Sequence, residues 1–327
     1  MRTIHTLKKS KYMIALASAS ILALSACGSS TDDESTDSTD STDSSDATNE
    51  TNIMTDAMGH EVEIPENPER VLGTYLEDYL VTLGVTPVAQ WSAPNGTQVY
   101  LEDQLEGVPP ISSELPLEEV ASTNPDFILI ENEAQLESGL YEQYNSIAPT
   151  FVLGDDVTND WRKTLTELGK ILDKSDEADQ ALAEYDSLVE DSKEEIQKAI
   201  GDEKVAAIWY IGDTYYTVSP TQSSGATLFE DLDLEPANII ADLPKDNIEQ
   251  WNPVTLEALA ELDADHLIFI NSSEEAADDL LNDPVWANVP AVSKEQVYPV
   301  TRESSWLYNG LQAHTQTIES AKELLTN

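Results

Sequence analysis

Hydrophobic and polar positions divide this 327-residue chain into stretches of distinct character. A basic, polar start (Met1 to Lys11) precedes a largely apolar run from Met13 to Leu24, and Ser29 to Asn52 then holds hardly an apolar side chain. From Ile53 onward, short apolar runs alternate with amphipathic segments. The turn-forming Asp56–His60 leads into Glu61-Val62-Glu63-Ile64, an alternating strand stopped by Pro65. Arg70–Thr74, Pro87–Trp91 and Asp126–Ile130 are apolar runs separated by helical segments, the alternation expected of a parallel sheet. A second set follows: Lys204–Tyr210, a hairpin-like Tyr215–Val218, His266–Ile270 and Gln296–Val300. Between the sets, Asp160 to about Ile200 reads as helix. Ser175 fits an N-cap with acids in the first turn after it, so Asp176–Ile200 predicts a helix of ~37 Å, long enough to run the length of two small lobes. The fold class expected is α/β, two lobes of mostly parallel sheet bridged by a long α-helix. Its parts are an N-terminal lobe at 53–157, a helical region at 158–200 and a C-terminal lobe at 201–327.

The two sets also echo one another. Leu117-Glu118-Glu119-Val120-Ala121 followed by Asp126 and Phe127-Ile128-Leu129-Ile130 matches Leu256-Glu257-Ala258-Leu259-Ala260 followed by Asp265 and His266-Leu267-Ile268-Phe269. In both copies a Glu stands ahead of an Asp at the same spacing, and the Asp opens an apolar strand. Glu118 and Glu257 are therefore expected at equivalent corners of the two lobes, suited to touching one partner at two points.

The start of the chain reads as targeting rather than fold. Basic residues, a short apolar run and Leu24-Ser25-Ala26-Cys27-Gly28 make residues 1–26 a secretory signal peptide that ends in a motif resembling the bacterial lipobox. Cys27 is the expected lipid acceptor, and the acidic Ser/Thr/Asp segment 27–52 cannot bury enough apolar surface to order itself, so it reads as a tether. Beyond Cys27 no apolar stretch approaches the ~18 residues of a spanning helix. The expected location is the extracytoplasmic face of the cell membrane, held by lipid.

Charge narrows the function. Lys and Arg number 16 against 63 Asp and Glu, a formal net charge of −47. Such a surface repels phosphate backbones and anionic headgroups, so nucleic acid is excluded as a partner. One cysteine leaves neither an internal disulfide framework nor a multi-cysteine metal site.

Residues spread from 53 to 325 carry a family resemblance. They include Asp56-x-x-Gly59 to Ile64-Pro65, Pro68-Glu69-Arg70-Val71, Leu83-Gly84-Val85-x-Pro87-Val88, and Leu117-Glu118-Glu119-Val120 to Asn124-Pro125-Asp126. Further along stand Leu168-Gly169-Lys170-Ile171-Leu172, Ala181-x-x-x-Tyr185, Leu256-Glu257-Ala258-Leu259 to Asp265-His266-Leu267, Asp283-Pro284-Val285-Trp286 to Val289-Pro290-Ala291-Val292, and Gln296-Val297-Tyr298-x-Val300. In this order they resemble the substrate-binding proteins of iron–siderophore and cobalamin ABC importers, the class III architecture with a rigid helical backbone. The resemblance implies two lobes facing across a shallow cleft and a monomer that delivers ligand to a permease driven by an ATPase. It also implies that Glu118 and Glu257 dock to arginines of that permease.

In open α/β sheets ligands lie beyond the carboxyl ends of the strands. The residues expected there to bind ligand are Tyr75, Trp91 and Asn132 in the first lobe and Trp209, Tyr210, Ser223, Ser224, Arg302, Trp306 and Tyr308 in the second. A tris-catecholate ferric complex is a trianion, and Arg302 is the one cation at an expected strand exit. A ferric hydroxamate or citrate–hydroxamate complex suits one guanidinium fork and several aromatic faces better. Arg302 to Asn309 resembles the Trp- and Tyr-bearing loop of hydroxamate binders, whereas Gln222-Ser223-Ser224-Gly225 departs from the Arg such binders commonly offer. Haem or cobalamin is the alternative ligand within the class, with Tyr75 or Tyr308 as the axial group for haem. His60, His266 and His314 are dispersed, so no metal site built by the protein itself and no cofactor are expected. G-x-S-x-G, P-loop and H-E-x-x-H motifs are lacking, which argues for a binder rather than an enzyme. A secreted hydrolase or a structural surface lipoprotein are the alternatives of a different class.

Overall fold

The computed structural model describes residues 52–94, 96–136, 139–244 and 249–327. The expected signal peptide, Cys27 and the tether up to Thr51 lie outside the described residues. Two short strands, β1 (Ile53–Thr55) and β2 (Glu61–Glu63), pair as an antiparallel hairpin across the Asp56–His60 turn. The next five strands are β3 (Val71–Gly73), β4 (Gln90–Ser92), β5 (Pro110–Ser112), β6 (Phe127–Ile130) and β7 (Thr150–Val152). β3, β6 and β7 form an all-parallel sheet with β6 in the middle, while β4 and β5 make a separate parallel pair. Expected as Pro87–Trp91, β4 begins later, because Val88 gives its N–H to the Val71 carbonyl and only the residues after it pair with β5.

The second half holds β8 (Lys204–Ile211), β9 (Thr214–Val218), β10 (Glu235–Pro236), β11 (Trp251–Val254), β12 (His266–Asn271) and β13 (Val297–Thr301). They form one sheet in the order β11-β9-β8-β12-β13, with β10 also on β8. The β8, β12 and β13 pairings are parallel, and the β8–β9 hairpin and the β9–β11 pairing are antiparallel.

Side chains alternate across a strand, and the alternation assigns the cores. Phe127 and Leu129 of β6, Val205 and Ala207 of β8, and Ile268 and Ile270 of β12 all enter one central core. Their neighbours Ile128 and Ile130 enter a core on the far side of the first sheet, and Ala206, Ile208, Leu267 and Phe269 enter one on the far side of the second. Strands buried on both faces read as continuous apolar runs, which is why β6, β8 and β12 stand out in the sequence.

Helices fill the space around the shared core. Asp160 caps the helix Trp161–Ile171 by accepting the Lys163 N–H at 3.0 Å. Next comes the 26-residue helix Ser175–Ile200, ~39 Å long. It buries Ala178, Tyr185, Ser192, Ile196 and Ile200, one stripe at helical spacing. Ser175 is its first residue rather than its cap: Lys174 holds the cap position without a side-chain hydrogen bond, and its ammonium pairs with Glu177 at 2.9 Å.

The C-terminal helix Leu311–Thr326 packs on this long helix and returns to the first half. Its N-terminus lands on the buried Asp78, whose carboxylate accepts the N–H groups of Gln312 (2.9 Å) and Ala313 (2.8 Å) and the Tyr100 hydroxyl (3.1 Å). Gly310 makes this possible: its φ is +127°, and a Cβ there would lie 2.2 Å from the Asp78 Cγ.

The internal echo is structural. Asp126 gives its N–H to the Arg70 carbonyl, and its carboxylate accepts the N–H groups of Glu69 and Arg70, each at 2.9 Å. Asp265 gives its N–H to the Lys204 carbonyl, and its carboxylate accepts the Lys204 N–H at 2.9 Å and the Lys294 ammonium at 2.8 Å. Each Asp thus ties the start of its strand to the start of the neighbour, at Arg70 just ahead of β3 and at Lys204, the first residue of β8. Among the described residues no helix is long and apolar enough to cross a membrane.

Candidate functional site

Strand ends from both halves converge on one cleft. Tyr75 follows β3, Trp91 lies on β4, Trp209 is near the end of β8, Ser272 follows β12, and Arg302 and Glu303 follow β13. Trp251 opens β11, and Leu307 and Tyr308 come from the loop ahead of the C-terminal helix. Ala93 and Gly96, Thr97 and Val99 close the rim. The cleft holds about 830 Å³ of space, part of it open solvent.

Aromatic rings make its walls. Trp209 meets Trp251 edge-on at 5.5 Å between centroids and Tyr216 at 5.4 Å; its indole N–H donates to the Ser272 hydroxyl at 2.9 Å, which fixes the ring plane. Across the cleft, Tyr75 meets Trp91 at 5.2 Å, and Tyr308 stacks on Tyr100 at 4.9 Å. Tyr75 has φ +65°, a backbone conformation that is costly for an aromatic residue and concentrates at functional positions. The Leu76 N–H donates back to the Gly73 carbonyl, closing the turn that throws the Tyr75 ring toward Trp91.

The polar groups are few. Arg302 Nε lies 3.2 Å from a Glu303 carboxylate oxygen, both side chains partly open to solvent. Hydrogen bonding from the Thr301 side chain, then from the backbone and Arg302, holds Glu303 below the usual carboxylate range, so it is ionised at neutral pH. Burial and the nearby carboxylates keep the Tyr75 and Tyr308 phenols protonated. Behind Tyr75 stand two more acids. Glu77 is fully buried and accepts the Trp91 N–H; burial pushes its carboxyl up to about 8. Burial, with Asp155 adding to it, pushes Glu131 up to about 7.

Of the ten residues expected to bind ligand, Tyr75, Trp91, Trp209, Arg302 and Tyr308 line this cleft. The other five do not, each for a local reason. Tyr210 follows Trp209 on the same strand, so its ring goes to the opposite face, beside Tyr215, and its hydroxyl donates to Asp213. Trp306 lies in the tight turn Ser305–Leu307, where successive side chains diverge. It is buried in the central core with its indole N–H on the Ser320 hydroxyl, while Leu307 takes the outward position. Asn132 caps the short turn Glu133–Gln135 by accepting the Ala134 N–H.

Ser223 and Ser224 are buried beneath the cleft. The Ser223 hydroxyl donates to the carbonyls of Trp306 and Tyr308, and its N–H donates to the Asn309 side chain at 2.7 Å. Ser223 therefore aims the loop that carries Tyr308. Gly225 lets the chain pass Ser219, whose carbonyl oxygen would lie 1.8 Å from an added Cβ.

Sequence reasoning missed Trp251, Gln250, Leu307 and Glu303. Trp251 sits on an antiparallel edge strand containing Pro253, which carries no apolar run to flag it; the adjacent Gln250 donates to the Leu307 carbonyl at 3.0 Å. A second hollow, lined by Asp56, Glu133, Asp155, Asp156 and Glu167, lies beside the ends of β1 and β7 and has Phe151 as its one aromatic residue among the described lining. Glu118 and Glu257 are exposed in the first turns of the helices Leu117–Ser122 and Leu256–Ala260, each leading into an interior strand of its sheet. Among the described residues no group of three or more His, Cys, Asp and Glu side chains is placed to hold a metal ion.

Residues 74–303 match the periplasmic binding proteins as a family. The iron(3+)-hydroxamate-binding protein FhuD of Bacillus subtilis is 26% identical over 287 residues, covering 85% of this chain and 86% of the relative. A second Bacillus subtilis relative, an Fe(3+)-citrate-binding protein, is 29% identical over 220 residues, covering 65% of this chain and 64% of the relative. Among solved structures, the fold matches a FhuD fold-family component of a Fep/Fec-like ferrichrome ABC transporter from Bacillus subtilis, with a TM-score of 0.72 and 23% identity over 84% of this chain and 100% of that one. The family match spans both halves of the molecule and every strand end that builds the cleft except the Leu307–Tyr308 loop. This chain belongs to the periplasmic binding protein family.

Proposed function

We propose that this protein captures a ferric siderophore in the aromatic cleft and delivers it, chemically unchanged, to an ABC importer from a lipid anchor on the outer face of the cell membrane. The observation that carries the reading is the cleft itself: three Trp and two Tyr side chains from separate strand ends and loops surround Arg302, the one cation among the described lining residues. Aromatic faces pack against the methylene arms of a chelator, and a guanidinium fork suits the anionic oxygens around its iron. The relatives support the same ligand class, being named for iron(3+)-hydroxamate and Fe(3+)-citrate. Iron here is cargo, already wrapped by its chelator.

Capture serves uptake only if the loaded protein is recognised. Glu118 and Glu257 are the docking carboxylates in this reading, supported by their matched places in the two halves and by the exposed Leu256 beside Glu257. Cys27 and the acidic tether keep a monomeric body close to the permease while leaving it free to turn.

Saturable quenching of tryptophan fluorescence by ferric hydroxamates, with the complex recovered intact, is the expected result. Arg302→Ala should weaken it about tenfold or more, since a charge-assisted contact is lost. The double variant Glu118→Ala, Glu257→Ala should retain affinity and abolish uptake by whole cells. A chain that no ferric siderophore quenches sinks the reading, and unimpaired uptake in the double variant removes the docking assignment.

A further inference from the structure

Glu303 is the feature of the cleft that capture of an iron-bound chelate does not use. It lines the same space as Arg302, so among the described lining residues one cation is matched by one anion. An ion pair this open to solvent is weak, so neither group is locked to the other and each is available to a ligand. The position where related binders are expected to supply a second cation is occupied by Ser223 and Ser224, both buried and neither of them charged, with the Ser223 hydroxyl bonded to the loop that carries Tyr308. Indole and phenol faces on opposite walls favour a positive group over a negative one. Behind Tyr75, the carboxyls of Glu77 and Glu131 add no positive charge, and the acidic surface as a whole draws cations toward the cleft.

Resting on the siderophore reading above, we infer that Glu303 selects for a ferric hydroxamate that carries a free ammonium arm, with Arg302 facing the iron-bound oxygens and Glu303 facing the ammonium. The site is then dipolar: each end of the ion pair takes the ligand group of opposite charge, and the aromatic walls cover the arm between them. A polyanionic ferric complex meets Glu303 as a like charge and is rejected.

The test is a matched pair of ligands. Ferrioxamine B presents an ammonium arm, and its N-acetylated form has the same iron core without that charge. Tryptophan quenching of the full chain at low salt should show ferrioxamine B binding about tenfold more tightly than the acetylated complex, with ferric citrate weaker than both. Glu303→Gln should bring the two hydroxamates within twofold of each other by weakening ferrioxamine B while leaving the acetylated complex unchanged. Equal affinities in the unaltered protein, or a gap that survives Glu303→Gln, overturn the assignment of Glu303 and leave siderophore capture standing. Quenching by none of the three complexes overturns the siderophore reading, and the charge selection with it.

Discussion

The two halves of the molecule share one device and differ in another. Asp126 and Asp265 each stand just ahead of an interior strand and tie its start to that of the strand beside it, at Arg70 in one half and Lys204 in the other. At the opposite ends of those strands the halves part. The first half places Glu77, Asp78 and Glu131 behind Tyr75 and Trp91, three carboxyls raised by burial. The second half supplies Trp209, Trp251, Tyr308 and the Arg302–Glu303 pair, with its charges open to solvent. Register is set alike at the closed ends of the strands, whereas the open ends are free to specialise.

The largest effect should follow from the carboxylate that the first half alone possesses at the C-terminal helix. Asp78→Ala strands the N–H groups of Gln312 and Ala313 and the Tyr100 hydroxyl in a buried place, and unmet buried donors cost ~1–3 kcal/mol each. A loss on the order of 4 kcal/mol, or roughly 10 °C in Tm, is expected in a thermal melt. A melt that barely moves would show that the helix is held by apolar packing alone.

Next in size come the paired strand-opening aspartates. Asp126→Ala and Asp265→Ala should each cost about 0.5–1.5 kcal/mol, the net worth of an ordinary hydrogen bond. The second should cost more, because the Lys204 N–H it frees is partly buried, whereas the Glu69 and Arg70 N–H groups freed by the first are exposed and can turn to water. Denaturant midpoints measured for both compare the halves directly, and an indifferent response in one half would end the idea that they are built alike.

The smallest expected effect is a change of slope with pH. Glu77 is raised to about 8, so the folded state binds the proton more tightly than the unfolded one. That stability is complete below about pH 4.5 and drains away as pH rises through 8. Glu77→Gln keeps an acceptor for the Trp91 N–H and should flatten the fall in Tm between pH 5 and 8. His314 works in the other direction. Burial, assisted by Arg162, lowers it to about 3, so the unfolded chain takes up its proton first and stability falls as the pH drops from about 6.5 toward 3. An identical Tm–pH curve for Glu77→Gln would mean that the carboxyl is not in its raised state.

Much of the fold was legible because β6, β8 and β12 are apolar on both faces and announce themselves as runs, and because the Asp-led echo repeats at fixed spacing. The site was half legible for a related reason. A position after a strand indicates that a residue is near the cleft but not which way its side chain turns. Trp209 and Tyr210 differ by one step along a strand and so lie on opposite faces. Trp306 and Leu307 differ by one step in a tight turn, and the larger residue went inward. Trp251 escaped notice because an edge strand needs no apolar run to form.

Asp78 and the residues it caps stand 234 and 235 positions apart. As the polypeptide is threaded out in order, Asp78 has the Tyr100 hydroxyl early but waits for its two backbone donors until Gln312 and Ala313 have emerged. The cap on Asp78 is therefore completed late, and a chain shortened before Leu311 leaves that buried carboxyl without its two backbone donors.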